Sequence, residues 1–99
     1  MIKILVKIQN KKFVAIYDSG SNISLINQNA FQMDQLRNQI FQDNKLLRTI
    51  SGKAFSKGRA ILKIKIGKIF KKIPFYIIKN NNFKFQLLIG LDAIQKFKS

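Results

Sequence analysis

The sequence contains no cysteine, no histidine, no tryptophan and no glutamate. Without cysteine there is no disulfide framework and no thiolate nucleophile. Without histidine there is no His-based zinc site and no Ser-His or Cys-His triad. Acid/base chemistry therefore falls to Asp, Lys or Tyr. The acids number only four, namely Asp18, Asp34, Asp43 and Asp92, which is too few for a carboxylate-rich calcium or magnesium site. We expect no metal and no cofactor. Long apolar runs are also missing: stretches such as Phe13–Tyr17 and Phe75–Ile78 are far too short to cross a bilayer. Lys3 and Lys7 interrupt any signal-like apolar segment at the N-terminus, so the expectation is an intracellular, cytoplasmic domain with no membrane contact.

What remains is a 99-residue chain, 46% hydrophobic, with a net charge of +15. That length suits one domain, and that apolar content suits a folded core. The charge raises polyanion or nucleic-acid binding as a possibility. The lysines are scattered from Lys3 to Lys98 rather than gathered in one run, which favours non-specific attraction over a dedicated motif.

No repeat, linker or low-complexity block divides the chain. Ile2, Ile4, Val6 and Ile8 alternate with Lys3, Leu5 and Lys7, the period of a strand. Gln9-Asn10-Lys11 can turn it into Phe13–Tyr17, an apolar run expected to be fully buried. Asp18–Asn22 is a turn, and Ile23–Ile26 resumes an apolar run. Asn27 is positioned to cap a short helix over 28–36, with loop over 37–45. Strands are expected at Leu46–Ile50, Ala60–Ile66, Ile69–Ile78 and Phe85–Ile89, with a turn at Ser51-Gly52-Lys53. Asp92 can cap a helix reaching Phe97. The count is about seven strands and two short helices.

The informative segment is Ala15-Ile16-Tyr17-Asp18-Ser19-Gly20-Ser21-Asn22. It places a carboxylate at the end of a buried apolar strand, inside a Ser/Gly turn. Gly20 allows close backbone approach, so N–H groups can point at the carboxylate. The Ser19 and Ser21 hydroxyls can donate to it. Taken alone the tripeptide is weak: chance supplies Asp-[Ser/Thr]-Gly roughly once or twice per hundred chains of this composition. A second segment, Leu87-Leu88-Ile89-Gly90-Leu91-Asp92, ends an apolar strand in glycine near the other end of the chain.

The two segments together, in this order and spacing, resemble the retropepsins, the single-lobed aspartic peptidases of retroviruses and retrotransposons. The shared pattern runs Ile16-Tyr17-Asp18-Ser19-Gly20-Ser21, then Ile23–Ile26, then Leu88-Ile89-Gly90. The continuation Gly90-Leu91-Asp92 looks most like gypsy-type retrotransposon proteases. The resemblance covers about residues 3 to 97. It implies an all-β fold, a closed antiparallel acid-protease barrel with one or two short helices, spanning 1–99 as one lobe.

The resemblance also implies a homodimer, because one lobe supplies one Asp and the reaction needs two. Asp18 and its symmetry mate would share a proton and activate a water, and the substrate would be an extended peptide or polyprotein. Ser19 would reach the partner lobe's backbone, the Gly20 N–H would hold Asp18, and Ser21 would hydrogen-bond the same carboxylate. Ile16, Leu25 and Leu88 would line apolar substrate pockets, and Ser51, Gly52 and Lys53 would form the flap tip. Two other readings stand beside this one: a catalytically inactive retropepsin-like dimerisation or protein-binding domain, and a basic β domain that binds nucleic acid.

Overall fold

The computed structural model describes residues 2–28, 40–41, 46–49, 52–79 and 85–98; side chains are described for 2–28, 58–79 and 85–98. In chain order the strands are β1 (Ile2–Ile8), β2 (Lys11–Tyr17), β3 (Ser24–Asn27), β4 (Ile40–Phe41), β5 (Leu46–Thr49), β6 (Gly52–Ile66), β7 (Ile69–Ile78) and β8 (Leu87–Ile89), followed by the helix α1 (Leu91–Lys98).

Two hairpins frame the molecule. β1 and β2 pair antiparallel from Ile2↔Tyr17 to Ile8↔Lys11. The turn between them is only Gln9-Asn10, both left-handed with φ of 52° and 66°, as a two-residue hairpin loop requires. Lys11 therefore belongs to the strand and not to the turn. β6 and β7 pair down to Ile66↔Ile69, with Gly67 at φ 62° in the turn.

Six strands close a ring in the order β1-β2-β8-β3-β7-β6, and Lys7↔Lys65 and Ile8↔Ile64 join β6 back to β1. This is the closed barrel expected from the sequence. Two of its pairings are parallel: β2 with β8, and β3 with β7. These bring segments from opposite ends of the chain side by side, which places the Asp18 loop against Gly90. β4 and β5 lie off the ring and pair with β6.

The barrel interior is filled by Val6, Ile8, Ala15, Ile26, Leu62, Ile64, Phe75, Ile77, Leu87 and Ile89, and α1 packs Ala93 and Ile94 against the same cluster. Each fully buried aliphatic side chain contributes about 1.5–3 kcal/mol of transfer free energy. A smaller cluster of Leu25, Ile78 and Leu88 forms separately from this core, with Ile23, Tyr76 and Phe85 packed against it.

Several expectations change. β2 is not buried throughout, since it alternates and Val14 is 47% exposed on the outer face. Ile2 is also exposed, although its period placed it with the core. β4 lies where loop was expected; its pairing with Arg59 and Ala60 is long-range and leaves no local signal. β6 is one strand of 15 residues with a register irregularity between Ser56 and Gly58, and Gly52 and Lys53 belong to it rather than to a turn. Asn27 ends β3 in the barrel wall. The helix expected over 28–36 lies outside the described residues apart from Gln28. Among the described residues no helix is long and apolar enough to cross a membrane.

Candidate active site

The loop between β2 and β3 carries Asp18. Its position follows from backbone hydrogen bonds to the end of β8. Tyr17 is paired with Ile89, and one residue later the Asp18 N–H donates to the Ile89 carbonyl at 3.0 Å. The Ser21 N–H donates to the Asp18 carbonyl at 3.2 Å, which closes the turn. The Leu91 N–H then donates to the Ser21 carbonyl at 2.7 Å. The loop is thus held on both sides by residues some 70 positions away in sequence.

The carboxylate itself is half-buried, and its Oδ1 accepts the Gly20 N–H at 2.9 Å. A Cβ on residue 20 would come within 3.2 Å of that same oxygen, so glycine here lets the amide approach freely. One carboxylate oxygen is anchored to the loop backbone. An oriented, half-buried carboxylate at the mouth of a rigid strand pair can take a proton from a water or give one to a carbonyl oxygen. Ser19 and Gly20 are exposed at the loop's outer edge.

Ser21 behaves differently from expectation. Its hydroxyl donates to the Ile23 carbonyl at 2.8 Å, not to Asp18. The single hydroxyl proton stabilises the loop's exit into β3 instead of the carboxylate. Ile16, Leu25 and Leu88 are each only 2% exposed. The register aligns Ile16 with Leu88 and Leu88 with Leu25 across β2, β8 and β3. Leu25 and Leu88 pack on one another and on Ile78 as core. Of the expected flap tip, Ser51 lies outside the described residues. Gly52 and Lys53 pair with Thr49 and Arg48, so β5 and β6 form an antiparallel hairpin where the flap was expected.

One part of the arrangement went unread in the sequence. Ser24 is fully buried, accepts the Gly90 N–H at 3.0 Å and donates to Asp92 Oδ1 at 2.7 Å. Asp92 also accepts the Ala93 N–H at 2.7 Å. Asp92 therefore does not sit before the helix as its cap; it is the second residue of α1 and ties the helix start to β3. The available signal was a lone hydroxyl residue inside the apolar run Ile23–Ile26.

A six-stranded closed barrel, an Asp-Ser-Gly loop and a glycine-ended strand threaded beside it define a retropepsin-like aspartic protease fold. The family model described as "gag-polyprotein putative aspartyl protease" matches residues 4–96, and the chain belongs to that family. No curated protein sequence matches it significantly. Among solved structures it is similar to the retroviral protease-like domain of Ddi1 from Leishmania major, with 20% identity and a TM-score of 0.75, covering 99% of this chain and 78% of that one. It is equally similar in fold to EIAV protease complexed with the inhibitor HBY-793, with 14% identity and a TM-score of 0.75, covering 99% of this chain and 88% of that one.

Proposed function

We propose that the chain is an intracellular aspartic endopeptidase that works as a homodimer and processes a retroelement polyprotein. The observation that carries this reading is the Gly20 N–H on Asp18 Oδ1, within a loop locked to β8 and α1. Membership of the aspartyl protease family supports it. Each chain brings one such Asp, so a two-fold dimer would face two Asp18 carboxylates across its axis.

Two carboxylates at hydrogen-bond distance retain one proton between them, because both cannot ionise easily side by side. The ionised member takes a proton from a water held between the two. The water oxygen bonds to the scissile carbonyl carbon while the protonated member gives its proton to the carbonyl oxygen. The tetrahedral intermediate then collapses: one of its two hydroxyl groups returns its proton to the carboxylate that is now ionised, the C–N bond breaks, and the amine leaves with the proton held by the other carboxylate. Water is the nucleophile, so neither His, Cys nor metal is required. The β5–β6 hairpin would cover the bound peptide, and the net charge of +15 would favour acidic side chains away from the scissile bond.

The test is Asp18→Asn, measured by peptide-library cleavage at mildly acidic pH with and without a pepstatin-type inhibitor. Activity falls by at least ~10²–10⁴-fold with the far-UV spectrum unchanged. An Asn variant as fast as wild type would remove Asp18 from the mechanism.

A further inference from the structure

A second feature lies at the other end of β2. Gln9 and Asn10 precede the strand and Asp18 follows it, so seven residues, about 20 Å of extended chain, separate the two. Here Lys7, Gln9, Asn10, Lys63, Lys65 and Phe70 line a cleft of about 280 Å³. Neither of the two described acids, Asp18 and Asp92, is among its walls.

The register makes this cleft unusual. Lys7 faces Lys12 across β1–β2 and faces Lys65 across β1–β6. Lys65 in turn faces Phe70, and Lys63 faces Lys72, across β6–β7. Directly opposed like charges destabilise a sheet. Three such oppositions around the strand pair that closes the barrel are a standing repulsion that a bound anion would relieve. The Lys63 and Lys65 ammonium groups gather over the Phe70 ring, 5.1 and 5.3 Å from its centroid. Phe70 as a residue is nonetheless 54% exposed, an apolar surface among cations.

We infer that this cleft is a binding site for single-stranded nucleic acid. The lysines neutralise successive phosphates, the Phe70 ring stacks against a base, and the Gln9 and Asn10 amides lie where base edges would pass. Charge alone would suit any polyanion; the exposed aromatic ring among the lysines favours one that carries flat, stackable groups. The proposal is independent of peptidase activity, and Asp18→Asn is expected to bind as wild type does.

The test is fluorescence anisotropy with a labelled oligothymidylate of about 12 nucleotides, within the footprint of one small domain. Inorganic polyphosphate of similar charge serves as the second probe, and both are titrated across a range of salt. Lys63→Ala/Lys65→Ala weakens oligonucleotide binding by about 10-fold and lowers the magnitude of the salt slope by about 1.4, the value for two lost phosphate contacts on a single strand. Lys79→Ala/Lys98→Ala removes the same charge outside the cleft and changes affinity by less than about twofold. Phe70→Ala, at a 54% exposed position outside both core clusters, weakens the oligonucleotide several-fold and leaves polyphosphate unchanged, with an unchanged far-UV spectrum as the check on folding. Equal losses from the two lysine pairs would reduce the site to diffuse attraction. A Phe70→Ala variant that binds the oligonucleotide as wild type does, or weakens both probes alike, would overturn recognition of bases, whatever the lysine variants do.

Discussion

Gly90→Ala is expected to be more damaging than the same change at Gly20 or Gly67. Gly90 is buried where β8 hands over to α1, and its neighbours are backbone. A Cβ there would overlap the Ile23 carbonyl oxygen and lie 2.6 Å from the Ile23 carbon and 2.9 Å from the Ser21 carbonyl oxygen. Carbon atoms in contact sit about 3.5–4.0 Å apart, so one strand must retreat by ~1 Å. That movement acts on the two carbonyls that fix the loop: Ser21 receives the Leu91 N–H, and Ile23 receives the Ser21 hydroxyl.

Overpacking costs about 1–3 kcal/mol and each of the two weakened hydrogen bonds about 0.5–1.5, giving about 2–6 kcal/mol together. A domain of this size holds only about 5–15 kcal/mol in all. Gly67→Ala is the control. Its Cβ would meet nothing within 4 Å, and only the left-handed backbone, φ 62°, opposes it. That costs about 1–2 kcal/mol. Urea unfolding followed by far-UV circular dichroism at fixed protein concentration separates them. With m near 1 kcal/mol/M, Gly90→Ala lowers the midpoint by about 2–6 M or abolishes folding, against about 1–2 M for Gly67→Ala. A Gly90→Ala midpoint no lower than that of Gly67→Ala would refute the close-approach argument.

Ser24→Ala leaves the Gly90 N–H and an Asp92 oxygen without their shared partner, and should cost about 1–3 kcal/mol; a double-mutant cycle with Asp92→Asn that shows no coupling would contradict it. The pH–rate profile for peptide cleavage should be bell-shaped on the acid side of neutrality. Such a profile follows from the proposed mechanism, which needs one carboxylate protonated and its mate ionised at the same time; a rate still rising above about pH 8 would point to a Lys or Tyr base. Two subunits of the proposed dimer, each of charge +15, would repel, so sedimentation equilibrium should show tighter association as salt rises. Ser19→Ala, removing an exposed hydroxyl beside the proposed axis, should raise the dimer Kd by about 10-fold, and specific activity that stays constant on dilution of a strict monomer would exclude the shared dyad.

The elements readable in the sequence were those with local signals. The alternation of β1, the hairpin partners at Ile66 and Ile69 and the glycine-ended run before Gly90 all carry their pattern within a few residues. The Asp18 loop was readable because residue type and position agree there, a carboxylate beside a glycine at a strand end. Long-range facts were not. The buried Ser24 acquires its role only when Gly90 and Asp92 arrive from 66 and 68 residues away. The same holds for the short strand β4 and for the parallel pairing of β2 with β8. Ile16, Leu25 and Leu88 illustrate a different limit: an aliphatic residue beside the Asp18 loop has the same sequence signature whether it faces a ligand or the core.

The parallel seam between β2 and β8 also sets an order of events during synthesis. The partner of Val14 across that seam, Gln86, lies 72 residues further along the chain. A ribosome that has released β1 to β7 has therefore made every acid and serine of the Asp18 loop, yet none of the strand that holds it in shape. The loop acquires its geometry only when the last fifth of the domain emerges and inserts between β2 and β3. Such distant pairing is slow to form. A nascent or C-terminally nicked chain would thus carry an Asp18 loop without its β8 and α1 anchors, so that the anchored loop reports that the domain has been translated through α1.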